Sequence, residues 1–214
     1  EKMRVDPRKN YGLEKSEMLK NEIGYFKFNM FSQQSEARRI AADMLKNIST
    51  AKALIFDLRD NIGGSPRMIE FISSYLFHQP TKLNMFFDRN GEQVSHSLTF
   101  MDIPGKRFAK DIPIYVLTSS LTFSAAEEFS YNLQSFNKAK IVGEITGGGA
   151  HPVQTRRANQ FLRVTVPFWR AYNPITKTNW EGVGVIPDME IENELALSTT
   201  IKLILEQNKK NQVK

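Results

Sequence analysis

Apolar residues fall in short blocks along the chain, and their spacing alternates between strand and helix periods. Residues 22–31 hold Ile23, Tyr25, Phe26, Phe28 and Phe31, which predicts a strand. Across 34–48, Ala37, Ile40, Ala41, Met44, Leu45 and Ile48 recur at helical spacing and predict an amphipathic helix. Residues 53–58 form a compact apolar run, the pattern of a buried strand, and a helix is expected near 67–77 with Pro66 suited to its first turn. Residues 83–100 alternate loosely around Asn90-Gly91, a hairpin signal. A second buried strand is expected at 112–117, followed by a helix to about 136 with Phe129, Leu133 and Phe136 on one face. Beyond it come a short strand at 141–143, an alternating strand at 161–168, a turn-rich loop at 171–180, a short extended piece at 183–186 and a helix at 195–205.

Strands and helices that alternate in this way predict an α/β domain, with helices covering a mostly parallel sheet. Residues 1–20 are polar and charged and are read as a linker or lead-in arm, leaving 21–214 as one core domain. The chain begins with Glu1 and is read as a processed or truncated piece, and no signal peptide is visible.

Composition changes this picture mainly by exclusion. The 214 residues are 41% hydrophobic, enough to bury a real core. Lys and Arg number 29 against 23 Asp and Glu, a formal charge of +6 that is scattered apart from Arg156-Arg157 and Lys209-Lys210. Such an excess aids solubility or suits acidic partners, and no aromatic-basic stripe points to nucleic acid. The absence of cysteine rules out disulfides, thiolate zinc sites and a cysteine nucleophile. No histidine pair has metal-ligand spacing and no phosphate loop occurs, so neither metal nor cofactor is expected. No apolar run is long enough to span a membrane as a helix.

Four features carry candidate chemistry. Ser124 lies where a buried strand turns into a helix, beside N–H groups that a helix start leaves free for an oxyanion. That suits a nucleophile, but Ser124-Ala-Ala-Glu127 also reads as an ordinary capping box. The turn Arg59-Asp-Asn-Ile-Gly63-Gly64 could bring a backbone donor to a ligand, with Ala125 supplying another, or could simply be a tight turn. His151, after the triple glycine 147–149, is either a base or an exposed loop histidine; His78 and His96 have weaker claims. Glu181, between Trp180 and Gly182, either orients a histidine or water or is a surface turn acid.

Taken in order, segments 21–31, 54–64, 118–129, 141–152 and 180–188 resemble the tail-specific (C-terminal-processing) serine peptidase family. The resemblance is strongest to the branch that includes tricorn protease and interphotoreceptor retinoid-binding protein. It implies a crotonase-like, ClpP-like spiral α/β domain, with Ser124 as nucleophile and Gly63 or Gly64 plus Ala125 as the oxyanion hole. Many members pair the serine with a lysine 25 residues later, but position 149 is Gly here. The tricorn-like branch uses serine, histidine and glutamate, and its glutamate matches Glu181. Its histidine belongs to an upstream helical region that has no counterpart in this chain, which implies a core nearly inactive by itself. The implied partner is a peptide or protein substrate. A retinoid- or fatty-acid-like ligand, or peptide C-termini bound without cleavage, is the alternative. A bacterial envelope, periplasmic or secreted location is implied by the resemblance alone.

Overall fold

The computed structural model describes residues 7–212. Its central sheet has six strands in the order β1 (Leu13–Leu19), β2 (Ile23–Phe28), β3 (Ala53–Asp57), β6 (Ile114–Thr118), β7 (Lys140–Gly143) and β11 (Met189–Glu190). β1 runs antiparallel to β2, and every other neighbour pair is parallel. Three helices, α1 (Ser35–Asn47), α2 (Pro66–Ser73) and α3 (Ala125–Ser135), supply the main core with residues such as Leu45, Ile69 and Phe129, and α4 (Asn193–Gln212) supplies a second cluster.

The period-two alternation of β3 divides its residues between those two clusters. Leu54 and Phe56 join the main core, while Ala53 and Ile55 pack with Tyr25, Tyr115, Ala196 and Ile204. Burial on both faces explains why β3 and β6 read as continuous apolar runs in the sequence. Aromatic residues fill the main core, where Phe56 and Phe31 both contact Phe129 with centroids 5.3 and 5.6 Å apart.

Two smaller sheets complete the fold. β4 (Lys82–Phe87) and β5 (Gln93–Leu98) make the expected hairpin, joined by β10 (Arg170–Tyr172), which overlaps the start of the segment read as loop. β8 (Val153–Arg157) and β9 (Arg163–Pro167) form a separate two-stranded ribbon, with every residue of both strands exposed.

The reading of 1–20 as a lead-in arm needs correction from Leu13 onward, because Leu13–Leu19 pairs along β2. Residues 1–6 lie outside the described residues. β1 escaped the hydrophobic pattern because it is an edge strand: Leu13 is buried, whereas Glu14, Lys15 and Met18 face solvent. Charges on such an edge are tolerated and discourage further strand pairing. The piece at 183–186 lies in no strand of the sheets, and the pairing falls at Met189–Glu190 instead.

Candidate active site

Loops from the carboxyl ends of β3, β6 and β7 meet at the start of α3, the edge where parallel α/β sheets place ligands. Leaving β3, the chain is anchored by the buried Asp57. Arg59 pairs with its carboxylate at 2.6 Å and the Tyr25 hydroxyl donates to it at 2.6 Å. Burial pushes the Asp57 carboxyl up, but these bonds from Arg59 and Tyr25 outweigh it and hold the group below its usual range. The same burial and the bond to Asp57 push the Tyr25 phenol upward.

Asn61 then fixes the glycine turn. Its side chain is fully buried, donates to the Phe28 carbonyl at 2.9 Å and accepts from the Gly63 N–H at 2.9 Å. Its carbonyl accepts from the Phe123 N–H at 3.0 Å, tying this turn to the residue before Ser124. A Cβ on Gly63 would stand 2.7 Å from the Ser124 Cβ, and φ is +103° there and +140° at Gly64. Both positions therefore need glycine for reach as well as for conformation.

From β6 the chain is held by Thr122, whose hydroxyl donates to the Leu58 carbonyl at 2.9 Å. Ser124 follows at φ 54°, ψ −118°, a conformation unusual for a residue with a side chain. It is half-buried and lines a cleft of about 550 Å³ together with Gly64, Ala125, Glu128, His96 and His151. Among the described residues the N–H groups of Gly64 and Ala125 have no hydrogen-bond acceptor, whereas that of Gly63 is taken by Asn61.

The capping box is present too, but its glutamate does more than cap. Glu127 is fully buried and its carboxylate accepts four hydrogen bonds. Oε2 receives the N–H groups of Ser124 at 2.7 Å and Gly149 at 2.9 Å. Oε1 receives the Thr146 hydroxyl and the Gly148 N–H, both at 2.6 Å. Glu127 thus joins the serine turn to the glycine loop beyond β7. Sequence reasoning did not single out Asn61 and read Glu127 only as part of a capping box.

Glu181 sits against the far end of that loop, accepting from the N–H groups of Ala150 at 2.7 Å and His151 at 3.1 Å. The His151 ring is close by, with Nδ1 3.9 Å from Glu181 Oε2. That nitrogen accepts from the Ala171 N–H at 3.4 Å. His151 and Ser124 share the cleft without a direct hydrogen bond. His96 lies on the same cleft, while His78 is elsewhere, with Nε2 2.9 Å from the Phe108 carbonyl.

Residues 22–191 match the family model described as Peptidase family S41, well over half of the chain. The chain belongs to peptidase family S41. A "Probable CtpA-like serine protease" of Staphylococcus saprophyticus subsp. saprophyticus is 26% identical to the S41 domain over 182 residues, 80% of this chain and 34% of that protein. One of the same name from Staphylococcus haemolyticus is 25% identical over 183 residues, again 80% and 34%. The chain therefore spans about a third of the length of these relatives. Among solved structures, the photosystem II D1 C-terminal processing protease superposes with a TM-score of 0.66 at 21% identity, covering 81% of this chain and 43% of that one. Mature CPAF gives 0.67 at 17% identity, with 88% and 50% covered. Tricorn protease gives 0.62 at 22% identity, with 88% and 18% covered. These likenesses show a common fold, with the helix-flanked and mostly parallel sheet expected from the sequence.

The S41 domain leaves little room for a side chain at position 149. The Gly149 N–H is bonded to Glu127, and a Cβ there would meet the Phe123 ring.

Proposed function

We propose that this chain is the core of a serine peptidase in which Ser124 forms an acyl-enzyme with its substrate. The observation that carries the proposal is one cleft wall combining a half-buried Ser124 with two N–H groups, of Gly64 and Ala125, that lack acceptors. In this reading the Ser124 hydroxyl attacks the scissile carbonyl and its proton passes to a histidine. The oxygen that becomes negative is held by the Gly64 and Ala125 N–H groups, with the positive end of α3 adding to the field. The histidine then protonates the leaving amine, and water releases the acyl group.

A base supplied from a region upstream of this chain, oriented by Glu181 as in the tricorn-like branch, fits the geometry better than His151. His151 Nδ1 accepts from Ala171, which places the ring proton on Nε2 and removes the second lone pair. Bonds from the Ala150 and His151 N–H groups hold Glu181 with 42% of its side chain still exposed. The substrate is a peptide or protein, and an envelope, periplasmic or secreted location belongs to the same proposal, testable by cell fractionation. No helix among the described residues is long and apolar enough to cross a membrane.

A fluorophosphonate probe should label the full-length protein at Ser124, with labelling lost in Ser124→Ala. Absence of labelling in folded full-length protein overturns the proposal. The aromatic part of the cleft, with Phe86, Phe168, Trp169 and Trp180, favours one second reading, a holder of retinoid- or fatty-acid-like ligands. Retention of a fluorescent fatty acid by a protein without peptidase activity would support it.

A further inference from the structure

Glu128 lies one helical turn beyond Ser124 on α3 and lines the same cleft. It is only 5% exposed, yet among the described residues no cation lies within ion-pair distance of its carboxyl group. Its hydrogen bond from the Ser97 hydroxyl is long, at 3.4 Å. A buried carboxyl without a cation is costly in its charged form. The nearby charges are already committed or stand elsewhere on the cleft. Glu70 of α2 is paired with Arg67 at 2.9 Å, and that guanidinium also lies over the Phe100 ring. The Asn84 side chain of β4 favours the charged form of Glu128, and Glu70 opposes it. His96 of β5 and His151 also line the cleft.

Phe86, Trp169, Trp180 and Pro152 give the lining an aromatic and aliphatic part, beside the polar Ser95 and Ser97 and the Glu70-paired Arg67. Aromatic walls with a carboxyl below them suit a long side chain with an apolar stem and a cationic tip. One turn of helix rises about 5.4 Å, a span that the four-carbon stem of lysine covers. We infer that this cleft receives the side chain adjoining the attacked carbonyl and selects lysine or arginine there, with Glu128 as the anionic seat. The inference rests on the peptidase reading for the position of the carbonyl, but not for the choice of side chain.

Burial raises the Glu128 carboxyl to about 7. The seat is therefore charged above neutrality and neutral in acid, so the preference for a cation should fade as pH drops.

The test uses full-length protein and peptides that differ only in their last residue: lysine, norleucine or glutamate. Calorimetric binding and turnover of the matching amides are measured together. Near pH 8 the lysine peptide should bind about tenfold more tightly than the norleucine peptide. The ratio should fall to about 2 in Glu128→Gln, and likewise in the wild type near pH 5.5. Norleucine bound as well as lysine overturns the inference, as does a ratio unchanged by Glu128→Gln. Equal weakening of both peptides in that variant also overturns it, because Glu128 would then be serving the framework. Ser124-dependent turnover without cation preference sinks this inference and leaves the peptidase reading standing. Glu128-dependent lysine binding without Ser124-dependent turnover does the reverse.

Discussion

Glu127→Gln replaces one carboxylate oxygen with a donor and tests whether the serine turn and the glycine loop depend on each other. If the amide nitrogen takes the place of Oε2, it faces the N–H groups of Ser124 and Gly149, and both lose their acceptor. If it replaces Oε1 it faces only one backbone donor, Gly148, because the Thr146 hydroxyl can turn and accept. The second orientation should win. One buried N–H left unpaired costs roughly 1–3 kcal/mol, and the surviving bonds each lose about 1 kcal/mol as the acceptor loses its charge. The sum is about 3–5 kcal/mol, read as a lower midpoint in urea denaturation at unchanged slope. The rate of fluorophosphonate labelling in full-length protein should fall by roughly tenfold or more, because the Ser124 backbone N–H is then held only by a neutral, weaker acceptor and the glycine loop beside it has lost the Gly148 bond. A loss below about 1 kcal/mol with labelling unchanged would refute the clamp, since it would mean that water replaces the carboxylate at no cost.

Ser124→Gly should be more stable than Ser124→Ala by roughly 1–3 kcal/mol in chemical denaturation, because alanine keeps the strained backbone at φ 54° and glycine does not. Equal stabilities would mean that the turn is unstrained. Glu181→Gln should lower turnover of the full-length protein at unchanged thermal midpoint, whereas His151→Ala should retain most activity; a dead His151→Ala protein that still folds would move the base into this chain. Glu128 binds a proton more tightly folded than unfolded, so stability should fall as pH rises from about 4.5 to about 7, by ~3 kcal/mol. Glu128→Gln should remove that slope, and a wild-type protein without it contradicts the raised carboxyl. Asp57 has the opposite sign: its contribution is complete above the unfolded value of 3.8 and is lost as pH falls through the lower folded value, so Asp57→Asn should flatten the acid limb of the same titration.

Much of the sheet was legible because burial on two faces leaves a strong trace. β2, β3 and β6 are apolar along almost their whole length, and α1 and α3 show one apolar face each. β1 and β8 left no such trace, since an edge strand and an exposed ribbon need few buried residues. Ser124 and Gly64 were legible as a strand-to-helix serine and a glycine pair, but their juxtaposition was not, as it depends on Asn61 and Thr122 bridging separate loops. Glu127 was visible only as a cap, because local spacing reveals the bond to Ser124 and not those to Thr146, Gly148 and Gly149. Glu128 gave the same kind of partial signal: a charge one turn beyond a serine says nothing of the aromatic walls that β4 and the 168–180 segment bring to it.

The β8–β9 ribbon has a practical consequence. With no third strand beside them among the described residues, and with Phe161 84% exposed at their connection, these two strands draw little stability from the body of the protein. Their amide protons should exchange with deuterium well before those of β3 or β6, through local opening that leaves the rest intact. A protease that nicks the 158–162 connection should therefore yield two fragments that stay associated, and the cleaved material should melt at nearly the same temperature as the uncut chain.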